Sequence, residues 1–246
     1  MLARFTGPGR LALAGFDPFY ERLSHVGSGS IDVATSYGVG SHLSGTVNVN
    51  GFATGMEWLR GEVNVNGSEH RVHHVRGQVQ VSGFGHYIHD VVGDVYLNGA
   101  SNVTLRRIVG DVILGGSGSN LDIECDGRVD FSGFGGNFAR IRQRVQGRSG
   151  VSLHIENWTE VIADVQIQSA GTHGVLIEGT SDRVRLRGQI SGNGSTEYAV
   201  EDTSGGDNSC PGLDIGPLSG YRQSPAVVGI DPNWPSDATY GAIFHS

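Results

Sequence analysis

The chain has 246 residues, 40 glycines and a formal net charge of −8 at pH 7, and all 17 of its basic residues are arginine. This acidic balance disfavours a nucleic-acid binder that depends on phosphate contacts. The sequence has no run of about 18 apolar residues, the length that a membrane helix needs, and no sustained hydrophobic region near its N-terminus. We therefore expect no nucleic-acid partner, no membrane insertion and no secretory signal.

The N-terminal segment, residues 1–28, does not follow the repeat that occupies most of the chain. It carries the aromatic residues Phe16, Phe19 and Tyr20. Because the open end of a solenoid exposes unpaired strand edges, terminal segments are normally atypical. We expect residues 1–28 to form either a cap or an arm whose aromatic residues dock onto a larger assembly. Residues 29–44 are predicted to form a degenerate first coil.

A repeat of 16 or 17 residues occupies residues 45–143. Each block opens with two apolar positions separated by one residue, and this alternation predicts a strand with one buried face. A second apolar pair recurs later in every block, from Met56 with Leu59 in the first to Phe138 with Ile141 in the last. Since one block cannot bury both faces alone, we expect coils that stack equivalent positions above one another.

Two glycines flank the first strand of every block, as Gly77 and Gly83 do in the third. A coil this short must bend sharply, and glycine adopts positive φ at a corner without a Cβ penalty. A helical repeat would show a 3.6-residue apolar period, which is absent. The sequence therefore predicts an all-β fold, a single-stranded parallel β-helix with coils of 16–17 residues.

The phase of the repeat drifts after residue 143. Residues 144–203 still read as strands, with longer turns, so the β-helix is predicted to span residues 29–203. Residues 204–246 hold five of the seven prolines and show no repeat. Proline removes a ladder donor, so we expect a C-terminal cap or arm instead of a wall strand. The apolar pieces at 226–230 and 240–244 could pair with an open strand edge.

The stretch HGVLIEGTSDRVRLRGQISGNGSTEYAV resembles the closing coils of pectin-lyase-like right-handed parallel β-helices, which include those of phage tailspikes and tail-fibre proteins. The resemblance covers residues 145–203 directly and the regular coils by architecture. It implies a right-handed helix, in line with the general preference of parallel crossovers. The coils are shorter than is usual in that family, so a compact triangular helix of either hand stays open.

Histidines cluster in two successive coils. The repeat stacks His70 on His86 and His73 on His89, at the strand spacing of about 4.8 Å. His73, His89 and the adjacent Asp90 are weak candidates for a Zn²⁺ or Ni²⁺ site. Neighbouring coils place a glutamate and an arginine in the same column, so we expect solvent-exposed stacked histidines and no bound metal.

No catalytic or cofactor signature emerges from the sequence, so we expect no catalytic residues and no cofactor. Galacturonase-like members of the superfamily that the chain resembles carry NTD, DD, GHG and RIK motifs in succession. This chain has only THG at 172–174 and no lysine, so it has no RIK motif. His173 is interpreted as a turn residue. Cys125 falls on an apolar column and is predicted to be a buried thiol, whereas Cys210 is predicted to be more exposed. The pair does not indicate a disulfide framework.

These observations favour a structural or adhesive role over chemistry. The resemblance and the expected absence of a leader indicate a bacteriophage virion protein, such as a tail fibre, spike, minor tail or head-decoration subunit, made in the host cytoplasm and released by lysis. Its expected partners are other virion proteins, further copies of itself in a trimer, and a host-surface glycan.

Two alternatives remain open. The first is a carbohydrate-active enzyme, a polysaccharide lyase or glycoside hydrolase, acting on host polysaccharide. Its candidate surface residues are Trp58, Tyr87, Tyr96, Asp90 and Asp94. The second is a self-polymerising scaffold resembling bactofilins, which would need bare complementary ends in place of the non-repetitive flanks.

Overall fold

The computed structural model is all-β and folds as a parallel β-solenoid of about eight turns, which confirms the predicted fold class. The structure describes the backbone of residues 3–6, 8–16, 19–21, 23–26, 29–133, 135–168, 171–223, 225–230 and 243–244. Side chains are described for the same residues except 3–6, 16, 19–21, 23–26, 218 and 243–244. The handedness of the solenoid stays a prediction.

The chain divides into two compact units, Met1–Gly110 and Asp111–Ser246. In the described residues, the strands of the first unit are β1 (Ala3–Thr6), β2 (Arg10–Phe16), β3 (Phe19–Glu21), β4 (Leu23–Val26), β5 (Ser30–Ser36), β6 (Val39–Ser41), β7 (Thr46–Phe52), β8 (Gly55–Arg60), β9 (Val63–Val65), β10 (Arg71–Arg76), β11 (Val79–Phe84), β12 (Tyr87–Val92) and β13 (Val95–Val109). Those of the second unit are β14 (Val112–Leu114), β15 (Gly118–Cys125), β16 (Val129–Phe131), β17 (Gly136–Gln146), β18 (Val151–Glu156), β19 (Trp158–Gln168), β20 (His173–Glu178), β21 (Arg185–Ser191), β22 (Tyr198–Asp202), β23 (Leu213–Ile215), β24 (Val227–Val228) and β25 (Ile243–Phe244). A short 3₁₀-helix, η1 (Leu218–Gly220), lies between β23 and β24.

Parallel pairing from β5 to β12 has the period of the sequence repeat. Val47 pairs with Val63 and Val63 with Val79, and the same offset relates β8, β10 and β12. The step from β12 to the second half of β13 is one position longer, since Ile88 pairs with Leu105. The predicted repeat length is therefore confirmed in this unit.

The core of the first unit consists of apolar columns that run from coil to coil. Its fully or almost fully buried members include both inward positions of the first strand and the second apolar pair of each block: Val47, Val49, Met56, Leu59, Val63, Val65, Val72, Val75, Val79, Val81, Ile88, Val91, Val95, Leu97, Leu105 and Ile108. Each such side chain stabilises the fold by roughly 1.5–3 kcal/mol relative to full exposure. Ile31, Val33 and Leu43 are likewise buried, so residues 29–44 form a coil as predicted, but it is not the first one, because β2 already pairs with β5.

Close backbone contact explains the glycine columns. Gly77 has a φ of 140°, and a Cβ on it would lie 1.9 Å from the carbonyl oxygen of Gly61. Gly83 has a φ of 101°, and its Cβ would lie 2.1 Å from the carbonyl oxygen of Gly67. Successive coils touch at these corners, so the short coil depends on residues without a side chain.

Coils lengthen along the second unit. Val112 on β14 pairs with Val129 on β16, whereas Val129 in turn pairs with Leu153 on β18. Farther along, Asp214 on β23 pairs with Ile243 on β25. The stretch of chain between paired residues therefore grows. The longer turns predicted after residue 143 are present, and the regular coils end before that boundary.

Phe138 is not an inward residue, so its predicted pairing with Ile141 in the core is wrong. Its backbone has a φ of 56°, its side chain is half-buried, and the Arg140 guanidinium lies 5.4 Å from the ring centre. Ala139 is fully buried instead and pairs with Leu121. A left-handed residue shifts the alternation by one position, which a two-residue pattern does not reveal.

Short strands continue the ladder into the segment predicted to be a C-terminal cap or arm. β23 pairs with β21, β24 with β22 and β25 with β23. The apolar pieces at 226–230 and 240–244 contain β24 and β25, as expected. The expectation that prolines prevent a wall strand is wrong for β23, because Pro211 and Pro217 flank this strand and do not lie in it.

The ladder also begins inside residues 1–28. β2 pairs with β5 and β3 with β6 at one common offset, Leu11 with Ile31 and Phe19 with Val39, and β1 pairs with β4. Phe16 ends β2, and Phe19 and Tyr20 lie in β3. Their side chains lie outside the described part of the structure, so the docking role stays a prediction.

Candidate binding face

One row of strands in the first unit carries most of its basic residues. The row consists of β6, β8, β10, β12 and residues 104–109 of β13, paired in parallel register. We name its outward surface the basic face. All five arginines of residues 29–110 lie in this row, against two carboxylates, Glu57 and Asp90. The other acidic residues of the same stretch, Asp32, Glu62, Glu69 and Asp94, lie outside it.

A column of left-handed residues forms the corner within this row: His42 (φ 56°), Trp58 (57°), His74 (55°), Asp90 (57°) and Arg107 (52°). This conformation costs a residue with a Cβ roughly 1–2 kcal/mol in a helical context, and glycine and asparagine tolerate it best. The chain uses asparagine at other corners, including Asn102 and Asn120. Large aromatic and basic side chains are therefore not what the turn requires, and such backbone outliers motivate a functional hypothesis.

Trp58 is the centre of an aromatic stack along this corner column. Its ring centre lies 4.1 Å from that of His74, with 13° between the planes, and 6.1 Å from that of His42, with 19°. An inserted sugar ring would need about 7 Å, twice the ordinary contact distance. Trp58 is half exposed and therefore presents its edge, and not a free face, to solvent.

The large apolar side chains that are exposed in the described residues all lie between residues 37 and 109. They are Tyr37, Val39, Phe52, Trp58, Phe84, Tyr87, Val92 and Val109. Exposed apolar groups that cluster in this way are typical of an interaction surface. The second unit has no counterpart among its described residues.

A groove of about 830 Å³ lies on one side of the basic face. Tyr37 and Tyr87, which are 51% and 40% exposed, line it together with Glu69 and Arg71. Small residues at its floor account for its depth: Gly38, Ala53, Thr54, Gly55 and Gly85. We name it the tyrosine groove.

A second groove, of about 630 Å³, follows the corner column on its other side. Its floor is apolar and includes the buried Leu59 and Val75. Along its outer wall, Arg60 and Arg76 are followed in the next coils by Val92 and Val109. We name it the arginine groove.

The wall between the grooves contains the predicted histidine stack. The rings of His73 and His89 are 4.8 Å apart and 5° from parallel, with Glu57 and Arg106 in the same column. His73 Nδ1 lies 2.8 Å from His74 Nδ1. Burial lowers the pKa of His73, and the neighbouring His89 lowers it further.

The weak metal candidates His73, His89 and Asp90 do lie together. His89 Nδ1 is 2.7 Å from Asp90 Oδ2, but the lone pairs of two parallel imidazoles run side by side and do not converge on one point. In the part of the chain that the structure describes, no group of three or more His, Cys, Asp or Glu is arranged to hold a metal ion.

Asp90 is bound on two sides. Arg107 donates Nε to Asp90 Oδ1 at 2.5 Å and Nη2 to Oδ2 at 2.7 Å. This bidentate pair, with the His89 contact, holds the pKa of the Asp90 carboxyl well below its usual range. A carboxylate that stays ionised and doubly hydrogen-bonded is a poor general acid.

Trp58, Tyr87 and Asp90 are thus brought together, whereas Tyr96 and Asp94 are not. Tyr96 lies in the first half of β13 and pairs with Gln80 on β11, and Asp94 is exposed directly before β13. We name the outward surface of β5, β7, β9, β11 and residues 95–101 the ladder face.

The ladder face carries the stacked asparagines that give it its name. Asn66 Nδ2 donates to Asn50 Oδ1 at 3.2 Å, as expected for this column. A second ladder joins Asn64 Nδ2 to Asn48 Oδ1 at 2.8 Å and continues from Asn48 to Asp32. These contacts are structural and polar, so the two faces of the unit differ in character.

His70 and His86 are stacked as predicted, 5.3 Å apart and 4° from parallel, but they are buried and not exposed. They occupy the inner corner position. The Nδ1 atom of His70 accepts a hydrogen bond from the Thr54 amide, and its Nε2–H donates to the carbonyl oxygen of Asn66. In the same way, Nδ1 of His86 accepts from the His70 amide, and its Nε2–H donates to the carbonyl oxygen of Ser82. Both rings are therefore satisfied as neutral imidazoles. Burial lowers the pKa of His86 to about 4 and also lowers that of His70.

Sequence analysis missed the histidine and carboxylate pairs of the second unit. His154 lies between Asp130, at 3.3 Å, and Glu178, at 2.9 Å. The hydrogen bond to Asp130 raises the pKa of His154. His173 opens β20, and so is not a turn residue; its Nε2 is 2.7 Å from Glu201 Oε2. Successive coils of this unit differ in length, which hides these neighbours from a search at a fixed period.

Both cysteines are buried, and neither forms a disulfide. Burial raises the pKa of the Cys125 thiol to about 12, which confirms the prediction for that residue. Cys210 is fully buried, so its predicted exposure is wrong, because the segment before β23 packs into the solenoid wall.

No described helix has the length and the apolar character that a transmembrane segment requires. Comparison of the chain with protein-family models, with curated proteins and with solved structures gives no match.

Proposed function

We propose that this chain is an adhesive scaffold that binds a glycan on its basic face and does not transform it. The observation that carries the proposal is the tyrosine groove, in which two exposed tyrosines flank a floor of small residues. Ligand sites typically combine a concave surface, aromatic side chains and a few polar groups. The charged and imidazole groups here are Glu69, Arg71, His73 and His89.

The β-solenoid supports such a role by holding Arg71, His73 and Tyr87 on paired strands. Tyr37 and Glu69 lie at the neighbouring corner, where each has a φ of 59°. Tyr87 lies on β12 and Arg71 on β10, which pair in register. Sites built on strands keep their geometry better than sites built on loops. The ring of Tyr87 also packs against His89, with centres 5.1 Å apart, so little side-chain freedom remains to be lost on binding.

An enzymatic role has less support from the groove. Most glycoside hydrolases use two carboxylates that face each other across the sugar. Among the described lining residues of the tyrosine groove, Glu69 alone carries a carboxylate. Asp90 lines the arginine groove and is held by Arg107, and Asp94 lies outside the basic face.

The setting that we propose is a bacteriophage virion, as a tail-fibre, spike, minor tail or head-decoration subunit. It rests on the resemblance of residues 145–203 to pectin-lyase-like β-helices of phage tailspikes. The parallel solenoid is compatible with that superfamily. We further propose a homotrimer with other virion proteins as partners, with the basic face left open to a host-surface glycan.

Binding to an array of bacterial surface glycans tests the proposal. The double variant Tyr37→Ala with Tyr87→Ala is expected to weaken binding of any captured glycan at least about tenfold, because it removes both aromatic walls. Tyr96→Ala, the matched control on the ladder face, is expected to bind as the wild type does.

Two results would contradict the proposal. Glycan binding that survives the double tyrosine variant would move the site elsewhere. Release of new reducing ends or unsaturated sugars from a bound glycan would make the chain an enzyme.

A further inference from the structure

Two arginines in the arginine groove stand without a counter-ion. Arg60 on β8 and Arg76 on β10 pair in register on neighbouring parallel strands, and both are exposed. Over the described ranges, neither side chain has a hydrogen bond or an ion pair. Arg10 and Arg107 of the same unit, by contrast, each bind an aspartate. Like charges directly opposite on neighbouring strands destabilise a sheet, so the groove holds an unrelieved repulsion.

The residues around Arg60 and Arg76 supply further hydrogen-bond donors and no unpaired carboxylate. The imidazoles of His42 and His74 line the opposite wall, and the Ser44 hydroxyl lies in the same column as the arginines. Among the described residues that line the arginine groove, Asp90 is the one with a carboxylate, and Arg107 already neutralises it. This end of the groove is therefore a cationic depression in an acidic protein.

We propose that Arg60 and Arg76 form a binding site for a tetrahedral oxyanion, a phosphate or sulfate ester group. The planar guanidinium matches the oxygens of such a group in a bidentate manner. A phosphate monoester carries about −1.5 to −2 charges at pH 7, which balances two arginines, whereas a carboxylate balances one. Binding would remove the repulsion between the two side chains. This site is separate from the tyrosine groove and goes beyond the glycan-binding role.

Titration calorimetry on the full chain tests the site with inorganic phosphate and sulfate, against acetate at matched ionic strength. We expect saturable binding of phosphate and sulfate and at least about tenfold weaker binding of acetate. The double variant Arg60→Gln with Arg76→Gln is expected to lose at least about tenfold in phosphate affinity. The control Arg142→Gln with Arg144→Gln makes the same charge change on exposed positions of β17 and is expected to bind as the wild type does.

Thermal unfolding supplies a second readout. Phosphate should raise the midpoint of the wild type by mass action and leave that of the Arg60 and Arg76 double variant unchanged. Without phosphate, this variant should be at least as stable as the wild type, because it lacks the repulsion. A folded variant that still binds phosphate like the wild type would overturn the proposal, as would acetate binding as tightly as phosphate.

Two further probes distinguish the natural sources of the group. A sugar phosphate represents a phosphorylated glycan, and vesicles of phosphatidate in neutral lipid represent a lipid headgroup. Binding of either one that depends on Arg60 and Arg76 supports the oxyanion site and identifies the source. Binding of hexaglutamate in preference to both would overturn it in favour of an acidic protein segment. The Tyr37 and Tyr87 variant should leave phosphate binding unchanged, so failure of the glycan proposal and of this one are distinguishable.

Discussion

Each of the two units is built as a parallel ladder, but their coils differ in length. From β5 to β12 the first unit keeps one offset between paired residues, that of Val47 with Val63. In the second unit the offset grows, from that of Val112 with Val129 to that of Asp214 with Ile243. Constant coils turn every outward position into a column. When successive coils differ in length, the columns are interrupted. Residues then stack on one another although no constant spacing in the sequence relates them.

Their surfaces differ accordingly. In the described residues, the first unit exposes the large apolar side chains and carries unpaired arginine side chains such as that of Arg60 beside stacked aromatic rings. In the second unit, outward histidines are matched with carboxylates, as His154 is with Asp130 and Glu178. The regular region therefore presents exposed apolar groups for recognition, whereas the irregular region places outward histidines beside carboxylates.

The largest effect is expected at the glycine corners of the regular unit. Gly77→Ala should lower the free energy of unfolding by more than about 4 kcal/mol, because a clash with backbone adds to an unfavourable φ. Urea unfolding followed by circular dichroism measures this change.

Gly147→Ala in the second unit is the matched control. Gly147 has a φ of 62°, and a Cβ there would meet nothing within 4 Å. The Gly147→Ala substitution should lower the free energy of unfolding by about 1 kcal/mol, because only the unfavourable φ contributes. Equal losses in the two variants would show that close coil contact does not set the corner of the regular coils.

An intermediate effect is expected from acid on the buried histidines of the first unit. His86 has an ordinary pKa of 6.5 when unfolded and about 4 when folded. The unfolded chain therefore binds more protons between these values, and stability is lost as the pH falls from 6.5 towards 4. Between pH 7 and pH 4.5 the loss from His86 should be about 2.5 kcal/mol, measured by urea unfolding at both pH values.

His86→Val isolates this contribution. The equivalent buried position of the next coil is Val103, so valine fits the corner. The variant should be less stable at pH 7 but should lose less stability on acidification. If the stability of the variant falls with pH as steeply as that of the wild type, His86 does not cause the acid sensitivity.

The smallest effect is expected at His154, with the opposite dependence on pH. Its pKa is raised from the ordinary value of 6.5, so the stability that its charged form contributes is present below pH 6.5 and is lost as the pH rises through the folded value. His154→Gln should cost about 1 kcal/mol at pH 6 and less at pH 9. Urea unfolding at both values measures the difference, and an equal cost at both would contradict the carboxylate pairing.

The fold of the regular unit was largely predictable from sequence, because a pattern that is ambiguous in one block becomes clear when six blocks repeat it. Six aligned glycines and valines identify the strand, its inward face and its corners. The repeat does not show which corner residues face the core and which face solvent. His70 lies inside and His74 outside in the same coil, since the left-handed residue at His74 interrupts the alternation.

The candidate site was predicted only in part for the same reason. Trp58, Tyr87 and Asp90 share one face because the constant offset of the regular coils applies to all three. Tyr96 and Asp94 share only their residue type with this group, because Tyr96 lies on the ladder face and Asp94 lies directly before β13. In the second unit, the insertions between strands remove the common offset, so the partners of His154 and His173 could not be read from spacing.

Radical footprinting of tyrosine side chains, with a glycan captured on the array, shows directly whether the tyrosine groove is the binding site. We expect Tyr37 and Tyr87 to be protected from oxidation in proportion to glycan occupancy, while Tyr96 reacts at an unchanged rate. Protection of Tyr96, or unchanged oxidation of Tyr37 and Tyr87 at saturating glycan, would contradict it.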